Sequence, residues 1–194
     1  MITPLSSEHV DQVATLHCET LTGLLTQLGP AAAAAFYAGC TKSDFAIGLV
    51  DVIGGAVRGF VLGAMHPDRL NGEVLRRNPL GTVLSVATGI VTNPSSLPLL
   101  FDSMRGAREG GYDEQAPSLV YLSVAPVARR SGVGRTLVDA FSERMRTAGA
   151  PHYDLSVDDD NEAAIAFYER LHFRITGKYR EFGKLHRRYR LSLA

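Results

Sequence analysis

The N-terminal segment carries the spacing of two helices. A serine pair that suits a helix start precedes apolar residues at helical intervals. These residues are Ser6, Ser7, Val10, Val13 and Leu16, with Leu21 as a further member. Gly29-Pro30 then predicts the start of a second helix, which runs through Ala31–Tyr37 and ends at Gly39.

Two apolar runs rich in β-branched residues follow these helices. They cover Phe45–Val52 and Arg58–Met65. Gly54-Gly55 lies between them, and glycine suits a two-residue hairpin turn because such turns require positive φ angles. We therefore predict an antiparallel pair of strands.

The segment from His66 to Pro117 is interrupted by several prolines and glycines. Within it we predict two helices, near Leu80–Val91 and Leu97–Arg105. A connection this long inside a compact domain is usually functional or disordered. We interpret it as an insert between the third and fourth strands of the fold.

From Ser118 onward, strand and helix patterns alternate. The predicted strands are Ser118–Val124, His152–Val157, Arg174–Tyr179 and His186–Leu193. The predicted helices are Arg135 to about Ala148 and Asn161–Leu171, the second with a capping-box-like start at Asp159 and Glu162. The central strand–helix–strand unit requires parallel strands, so the order indicates a mixed α/β protein.

Composition narrows the class of protein. The 194 residues fit a single domain spanning residues 1–194, and 45% hydrophobic with 21% charged residues excludes disordered, collagen-like and disulfide-rich chains. Twenty basic and 20 acidic residues argue against a dedicated nucleic-acid binder. Arg170 to Arg190 nevertheless contains eight Lys/Arg and one acid, which form either a solvated basic face or contacts with an anionic ligand.

Cysteine usage and the absence of targeting segments set the expected compartment. Cys18 and Cys40 lack the spacing of a zinc site or a disulfide framework, so no metal is expected. The N-terminus lacks the pattern of a signal peptide, and the nearly apolar stretch Leu80–Val91 is too short to span a bilayer. We expect a cytoplasmic protein without a membrane partner.

A glycine-rich turn between a strand and a helix has the features of an anion site. It comprises Arg129, Arg130, Ser131, Gly132, Val133 and Gly134, followed by Arg135 and Thr136 at the helix start. Free backbone N–H groups and the helix dipole favour negative charge there, and the glycines permit close approach of a ligand. We interpret this turn as a pyrophosphate cradle. A turn whose glycines serve only packing is the alternative.

Two other phosphate-binding motifs fit this turn less well. A Walker loop requires Gly-Lys-Ser/Thr and a longer span between its glycines, whereas Gly134 is followed by Arg135-Thr136. A dinucleotide fingerprint requires a third small residue where Leu137 stands, although Asp154 occupies the place of a ribose-binding acid. The dinucleotide alternative stays open.

Three consecutive pieces of Leu119–Leu171 resemble the acetyl-CoA-binding core of the GNAT superfamily of acyl-CoA N-acyltransferases. They are the strand Leu122-Ser123-Val124-Ala125-Pro126, the turn Arg129–Gly134 and the helix Asn161–Glu169, after which Leu171-His172-Phe173 replaces the family's common Leu-Gly-Phe. The resemblance implies a mixed α+β fold. Its central twisted sheet would have about seven strands, with helices on its faces.

The resemblance also implies which residues bind the cofactor, acetyl-CoA. Leu122, Ser123 and Val124 would lie beside the pantetheine arm, which pairs with the strand backbone. The backbone of Arg129 to Arg135, with Thr136 beside it, would hold the pyrophosphate. Asn161 would bond to the cofactor arm.

Tyr168 would be the catalytic residue and would protonate the departing thiolate. It follows Asn161 by two helical turns, so both face the same side. A phenol with a pKa near ~10 can supply a proton to a thiolate whose conjugate acid has a pKa near ~8.5. A core aromatic beside Phe167 and Leu171 is the alternative interpretation.

One departure from the family leaves the general base unidentified. Some members carry a glutamate where Ser156 stands, and serine cannot replace it unaided. The candidates for a base elsewhere are Asp158, Asp160, His66, His152 and Glu181.

The activity implied is transfer of the acetyl group of acetyl-CoA to a primary amine of a small molecule or an amino sugar, by direct attack in a ternary complex. The alternatives are a protein N-terminal or lysine acetyltransferase, a non-catalytic acyl-CoA-binding module, and a nucleotide- or nucleic-acid-binding domain. We expect the insert to cover the acceptor site or to form a homodimer contact.

Overall fold

A computed structural model describes residues 1–105, 108–109, 116–181 and 183–193. Its strands are β1 (Ile2–Pro4), β2 (Ala46–Ile53), β3 (Ala56–Ala64), β4 (Arg108–Glu109), β5 (Ser118–Val124), β6 (His152–Asp158), β7 (Arg174–Glu181) and β8 (Lys184–Ser192). They form one sheet in the order β1-β2-β3-β5-β6-β8-β7-β4. Only the β5–β6 pair is parallel among the described strands. The predicted mixed fold is confirmed, with the two-residue β4 added at one edge.

Eight α-helices accompany the sheet in the described residues. They are α1 (Val10–Thr20), α2 (Leu24–Leu28), α3 (Pro30–Cys40), α4 (Pro67–Arg77), α5 (Pro79–Thr92), α6 (Leu97–Arg105), α7 (Val133–Thr147) and α8 (Glu162–Arg170). The two helices predicted within the insert are confirmed as α5 and α6. The sequence interpretation missed β1, α2 and α4.

Glycines account for two features near the turns. Gly54 and Gly55 have φ angles of 58° and 80°, which the hairpin between β2 and β3 requires. Gly39 does not end α3, contrary to prediction. A Cβ at position 39 would lie 2.7 Å from Val74 Cγ1, so glycine allows α4 to pack closely while α3 continues to Cys40.

The predicted starts of two later helices are also wrong. α7 begins at Val133, before the predicted start, because Gly132 takes a left-handed conformation immediately ahead of it. α8 is capped by Asn161, whose Oδ1 accepts a hydrogen bond from the Ala164 N–H at 3.1 Å. Asp159, the predicted capping residue, is ion-paired instead with Lys178 and Arg187.

Each face of the sheet carries its own apolar layer. One layer joins the sheet to α7 and α8, and its members include Leu119, Leu137, Phe141, Tyr153 and Leu155. The other joins the sheet to α1 and α3, and its members include Val13, Tyr37, Val50, Phe60 and Leu62. Side chains along each strand therefore alternate between two apolar layers on opposite faces of the sheet. A ligand that lies on one face contacts only the side chains of that face.

The insert extends the layer built by α1 to α3. Asn78 and Asn93 donate hydrogen bonds to the carbonyls of Ala35 and Gln27, which fasten both ends of α5. At its far end the insert supplies β4, which pairs with the last residues of β7. None of the described helices is by itself long and apolar enough to cross a membrane. α5 and the 94–101 stretch, bent by 114°, meet those length and composition criteria only as a pair.

Candidate active site

The two parallel strands at the centre of the sheet pair only where they begin. Ser118 is the register partner of Asp154, and the Asp154 N–H donates to the carbonyl of Pro117 at 2.8 Å. No later pair joins β5 to β6 in the part of the chain that the structure describes. A wedge therefore opens between the C-terminal halves of these strands.

The backbone of β5 offers hydrogen-bonding groups to this wedge. The Ala125 N–H donates to the carbonyl of Arg58, on the β3 side. Successive residues of a strand direct their N–H groups to opposite edges, so those of Leu122 and Val124 face the wedge. An extended ligand lying there can pair with β5 as an added strand would.

The glycine-rich turn lies where β5 ends. Arg130 has a φ angle of 61° and Gly132 one of 87°, and the Ser131 hydroxyl donates to the carbonyl of Ala128 at 2.7 Å. No side chain caps the start of α7, so its first N–H groups remain directed outward. The Arg129 guanidinium reaches back to the carbonyl of Val124 at 3.3 Å. This arrangement suits an anionic group at the mouth of the wedge.

The start of α7 also contacts α8. A Cβ built on Gly134 would lie 3.4 Å from Phe167 Cζ and 3.6 Å from Val124 Cγ2. The turn, the end of β5 and the face of α8 that bears Phe167 thus meet at one place. Thr136 and Arg135 lie exposed on the first turn of α7, where Thr136 bonds to the Gly132 carbonyl.

Tyr168 lies inside the apolar layer formed with α7 and α8. Its ring centroid is 5.1 Å from that of Phe167 and 5.3 Å from that of Phe173. Burial, and secondarily the neighbouring Tyr153, raise the pKa of Tyr168 well above its ordinary value of 10. The phenol is protonated at neutral pH, which is the form that an acid catalyst requires, and its burial makes it a weaker acid than an exposed tyrosine. Its packing also matches the alternative of a core aromatic.

Ser123 and Asn161 both have protein partners. The Ser123 hydroxyl lies 2.6 Å from that of Thr20 at the end of α1. Asn161 uses its carbonyl oxygen to cap α8, which leaves its amide NH₂ as the group to offer a cofactor.

The opposite face of β6 and β8 carries a polar array. Asp154, Ser156 and Asp158 alternate with core residues along β6, and their register partners on β8 are Arg190, Arg188 and His186. Arg188 and Arg190 bind the buried carboxylate of Asp154 at 2.5 Å and 2.7 Å. Asp154 is therefore unavailable to a ribose, and the dinucleotide alternative is wrong on this point.

The basic C-terminal stretch is largely neutralised by acids that end β6. Asp159 pairs with Lys178 and Arg187, and Asp158 pairs with Lys184. These ion pairs favour the interpretation of the stretch as part of the sheet's own charge network. Among the described side chains, no three His, Cys, Asp or Glu gather as metal ligands.

The five candidate bases lie in different places. β3 and β5 are antiparallel, so His66, which follows β3, and His152, which begins β6, lie at the end of the sheet remote from the wedge opening. Asp160 is exposed ahead of α8. Glu181 accepts a hydrogen bond from Tyr179 at 3.4 Å, on the same edge as β4.

Asp158 is the candidate that is paired with an imidazole. Its Oδ1 lies 3.1 Å from Nδ1 of His186, a residue that sequence reasoning did not consider. The available signal was the alternation of His186, Arg188 and Arg190 along one face of the last strand. That signal identifies a face but not the residue opposite.

The comparisons with known proteins agree with this geometry. The model of the acetyltransferase (GNAT) family matches residues 18–173. An acetyltransferase of Pectobacterium atrosepticum is 35% identical over 68 residues, which are 35% of this chain and 48% of that protein. The chain spans about half the length of the curated relatives it matches, 48% and 56% for two of them.

Two solved structures show the same fold at low sequence identity. An N-acetyltransferase from Staphylococcus aureus Mu50 has a TM-score of 0.65 and 15% identity, covering 98% of this chain and 100% of that one. An aminoglycoside 6'-N-acetyltransferase complexed with coenzyme A has a TM-score of 0.63 and 12% identity, covering 100% and 97%. Because the family model spans most of the chain, from the end of α1 to beyond α8, this chain belongs to the GNAT family of acetyltransferases.

Proposed function

We propose that this chain transfers the acetyl group of acetyl-CoA to a primary amine of a small molecule or an amino sugar, by direct attack in a ternary complex. The observation that carries this proposal is the wedge between β5 and β6. It joins an unpaired strand edge to an uncapped helix N-terminus, and the donor combines an extended amide chain with a pyrophosphate.

The donor contacts follow from the groups available. Leu122 and Val124 offer backbone N–H and C=O groups to the pantetheine amides. The outward N–H groups at the start of α7 hold the pyrophosphate, with Arg129, Arg130 and Arg135 adding positive charge around it. Asn161 donates its NH₂ group to the cofactor arm from the first turn of α8.

The chemistry uses groups on both sides of the wedge. The amine nitrogen bonds to the thioester carbon, and a backbone N–H at Val124 stabilises the oxyanion that forms. The carbon–sulfur bond then breaks, and the thiolate takes the phenolic proton of Tyr168. The phenolate regains a proton from solvent, so the products are an amide and free coenzyme A.

The two faces of the sheet support direct attack without an acetyl-enzyme intermediate. Tyr168 belongs to the layer with α7 and α8, whereas Ser156 and the polar array face the opposite side. An amine that approaches along the polar array meets the carbonyl from the side away from the leaving sulfur. The insert also reaches the strands on the acceptor side of the wedge, because its β4 pairs with β7 at the outer edge of the sheet.

An aminoglycoside 6'-N-acetyltransferase is among the similar folds, which is why amino sugars come first in the panel of acceptors. The mixed acidic and basic character of the polar array also suits a compact polar amine. The cytoplasmic location expected from two free cysteines, Cys18 and Cys40, is part of the same proposal.

Calorimetric titration with acetyl-CoA tests the donor, with NADH as the control and two salt concentrations. We expect micromolar binding of acetyl-CoA and none of NADH. Release of coenzyme A thiol is then followed with a panel of amino sugars, small primary amines and N-terminal peptides. Failure to bind acetyl-CoA, or transfer confined to the peptides, would contradict the proposal.

A further inference from the structure

Asp158 and His186 form an oriented carboxylate–imidazole pair at the C-terminal end of β6. They are direct register partners on β6 and β8, with Asp158 Oδ1 3.1 Å from His186 Nδ1. The imidazole stacks on Tyr179 with ring centroids 5.3 Å apart and planes inclined by 22°. The His186 side chain is 15% exposed. The ring is therefore held by Asp158 and Tyr179, and Nδ1 is the nitrogen that the carboxylate engages.

This pair lies level with the open part of the wedge. Ser118 and Asp154 mark the last position at which β5 and β6 pair. Leu119 and Tyr121 pair with successive residues of β3, so Val120 is an extra residue in a bulge. Asp158 lies four residues beyond Asp154 on β6. Ser123 lies five residues beyond Ser118 on β5, one of which is the extra bulge residue, so Ser123 and Asp158 are at the same height along the sheet. The pair thus lies at the same level along the sheet as Leu122 and Val124, with the wedge between β5 and β6 separating them.

The reaction requires a base on this side. A primary amine with a pKa near ~10 arrives at neutral pH as an ammonium ion, which has no lone pair for attack. Ser156 faces the same side but cannot accept that proton. Asp158 lies two residues beyond Ser156 on the same face of β6, toward the wedge opening, and His186 is its register partner on β8.

We propose that His186, oriented by Asp158, is the general base that accepts the proton of the acceptor amine. The inference rests on the proposed transferase function and adds a catalytic residue to it. Asp158 is a positioning residue: it accepts the Nδ1–H of the imidazole and so leaves the lone pair on Nε2.

The charged and titratable groups around the pair come from β5, β6, β7 and β8. Lys184 Nζ lies 3.6 Å from Asp158 Oδ2, and Tyr179 and Glu181 share this face on β7. Next along β6, Asp159 is engaged by Lys178 and Arg187. Tyr121 and Ser123 face the same side from β5.

The proton balance is complete with these residues. Nε2 of His186 takes one proton from the ammonium ion, and the freed nitrogen lone pair bonds to the thioester carbon. The carbon–sulfur bond breaks and the sulfur takes the proton of Tyr168. The nitrogen loses a second proton to solvent as the amide forms, and the imidazolium releases its proton to solvent. The Tyr168 phenolate takes one proton back from solvent.

The test compares His186→Gln and Asp158→Asn with the wild-type chain and with His152→Gln. His152 lies on the same strand as Asp158 but at the end remote from the wedge, so it is a matched histidine control. The readouts are thermal unfolding, acetyl-CoA binding by calorimetry, and the pH profile of kcat/KM with the best amine of the panel described above. Unchanged acetyl-CoA binding establishes that a variant is folded.

We expect His186→Gln to lose roughly 100-fold in kcat/KM at pH 7, within the usual contribution of a general base, and to recover as the pH approaches the pKa of the amine. Asp158→Asn should lose less and shift the acidic limb of the profile, which a merely structural defect would not do. A His186→Gln variant that keeps wild-type rates and profile overturns the dyad alone. No transfer by the wild-type chain to any amine overturns the proposed function with it.

Discussion

The hydroxyl of Ser123 donates to the hydroxyl oxygen of Thr20 across 2.6 Å and ties the end of α1 to the strand beside the wedge. Thr20 itself bonds to the carbonyl of Leu16, one turn earlier in α1. This short chain of hydrogen bonds fixes α1 against β5 at the level where the acyl carbonyl is expected. It also gives Ser123 a structural role that the sequence comparison with the family did not suggest.

Removing either hydroxyl should cost stability in a coupled way. We expect Ser123→Ala and Thr20→Val each to lower the free energy of unfolding by about 1 kcal/mol, because each removes the hydrogen bond between α1 and β5. Urea unfolding of both single variants and the double variant measures the coupling. Full additivity would show that the two side chains do not interact.

Replacement of Gly132 should separate ligand binding from stability. Gly132 and Gly149 bound α7 at its two ends, and both have a φ angle of 87° with open space around the Cβ position. Gly132→Ala and Gly149→Ala should therefore each cost about 1 kcal/mol of stability from backbone strain. Only Gly132→Ala should weaken acetyl-CoA binding in calorimetry. Equal weakening by both would remove the turn from the binding site.

Tyr168→Phe should lower kcat by roughly 100-fold while acetyl-CoA affinity stays nearly unchanged, because only the acid group is lost. Tyr153→Phe is the matched control in the same apolar layer. It removes a buried hydroxyl that bonds to Ser142 at 2.8 Å, so it should lower stability but not kcat. A Tyr168→Phe enzyme with wild-type kcat would leave Tyr168 as a core aromatic.

Stability should fall in mild acid because of His17. Burial lowers the pKa of His17 from 6.5 to about 4, while its Nδ1 bonds to the Tyr37 hydroxyl at 2.8 Å. Between these values the unfolded chain binds a proton that the folded chain does not. The stability that depends on a neutral, buried His17 is complete above pH 6.5. It falls progressively toward pH 4, by about 3 kcal/mol in the free energy of unfolding.

Urea unfolding at pH 7, 5.5 and 4.5 measures this loss. His17→Gln should flatten the dependence, whereas His172→Asn at an exposed position should leave it unchanged. The same slope in the His17→Gln chain would assign the acid sensitivity to other groups.

The exposed face of α5 predicts self-association. This helix carries no charged residue, and Leu80, Leu84 and Val91 are 77%, 66% and 80% exposed. Monomers seldom expose such a patch, so we expect a homodimer through α5. Sedimentation velocity should show a dimer that Leu84→Glu dissociates. A wild-type monomer at micromolar concentration would contradict this contact.

Local signals in the sequence were enough to propose residues for the cofactor side of the site. The turn from Arg129 to Gly134 and the helix bearing Tyr168 are contiguous motifs whose geometry depends on nearby residues. The capping residue of α8 was misplaced by two positions, because Asp159 and Asn161 are both suitable caps. The choice was made by Lys178 and Arg187, which lie on distant strands and engage Asp159.

The residues proposed for the acceptor side could not be predicted from local sequence motifs. The pairing of Asp158 with His186 depends on the register between β6 and β8, whose members are separated by helix α8 and strand β7. A sequence pattern predicts which face of a strand a residue occupies but not its neighbour across the sheet. β1 was missed for a related reason, since three residues of strand carry no recognisable alternation.

The gap between β5 and β6 has a consequence for the lifetime of the protein. A strand edge left unpaired inside a sheet is a template on which another extended chain can assemble. A donor that fills it would act as a folding ligand, adding about 2.7 kcal/mol of stability at a hundredfold excess over its Kd. If the proposed acyl donor binds there, the cellular abundance of this chain should follow the supply of that donor, and the donor-free form should be the one exposed to proteolysis and aggregation.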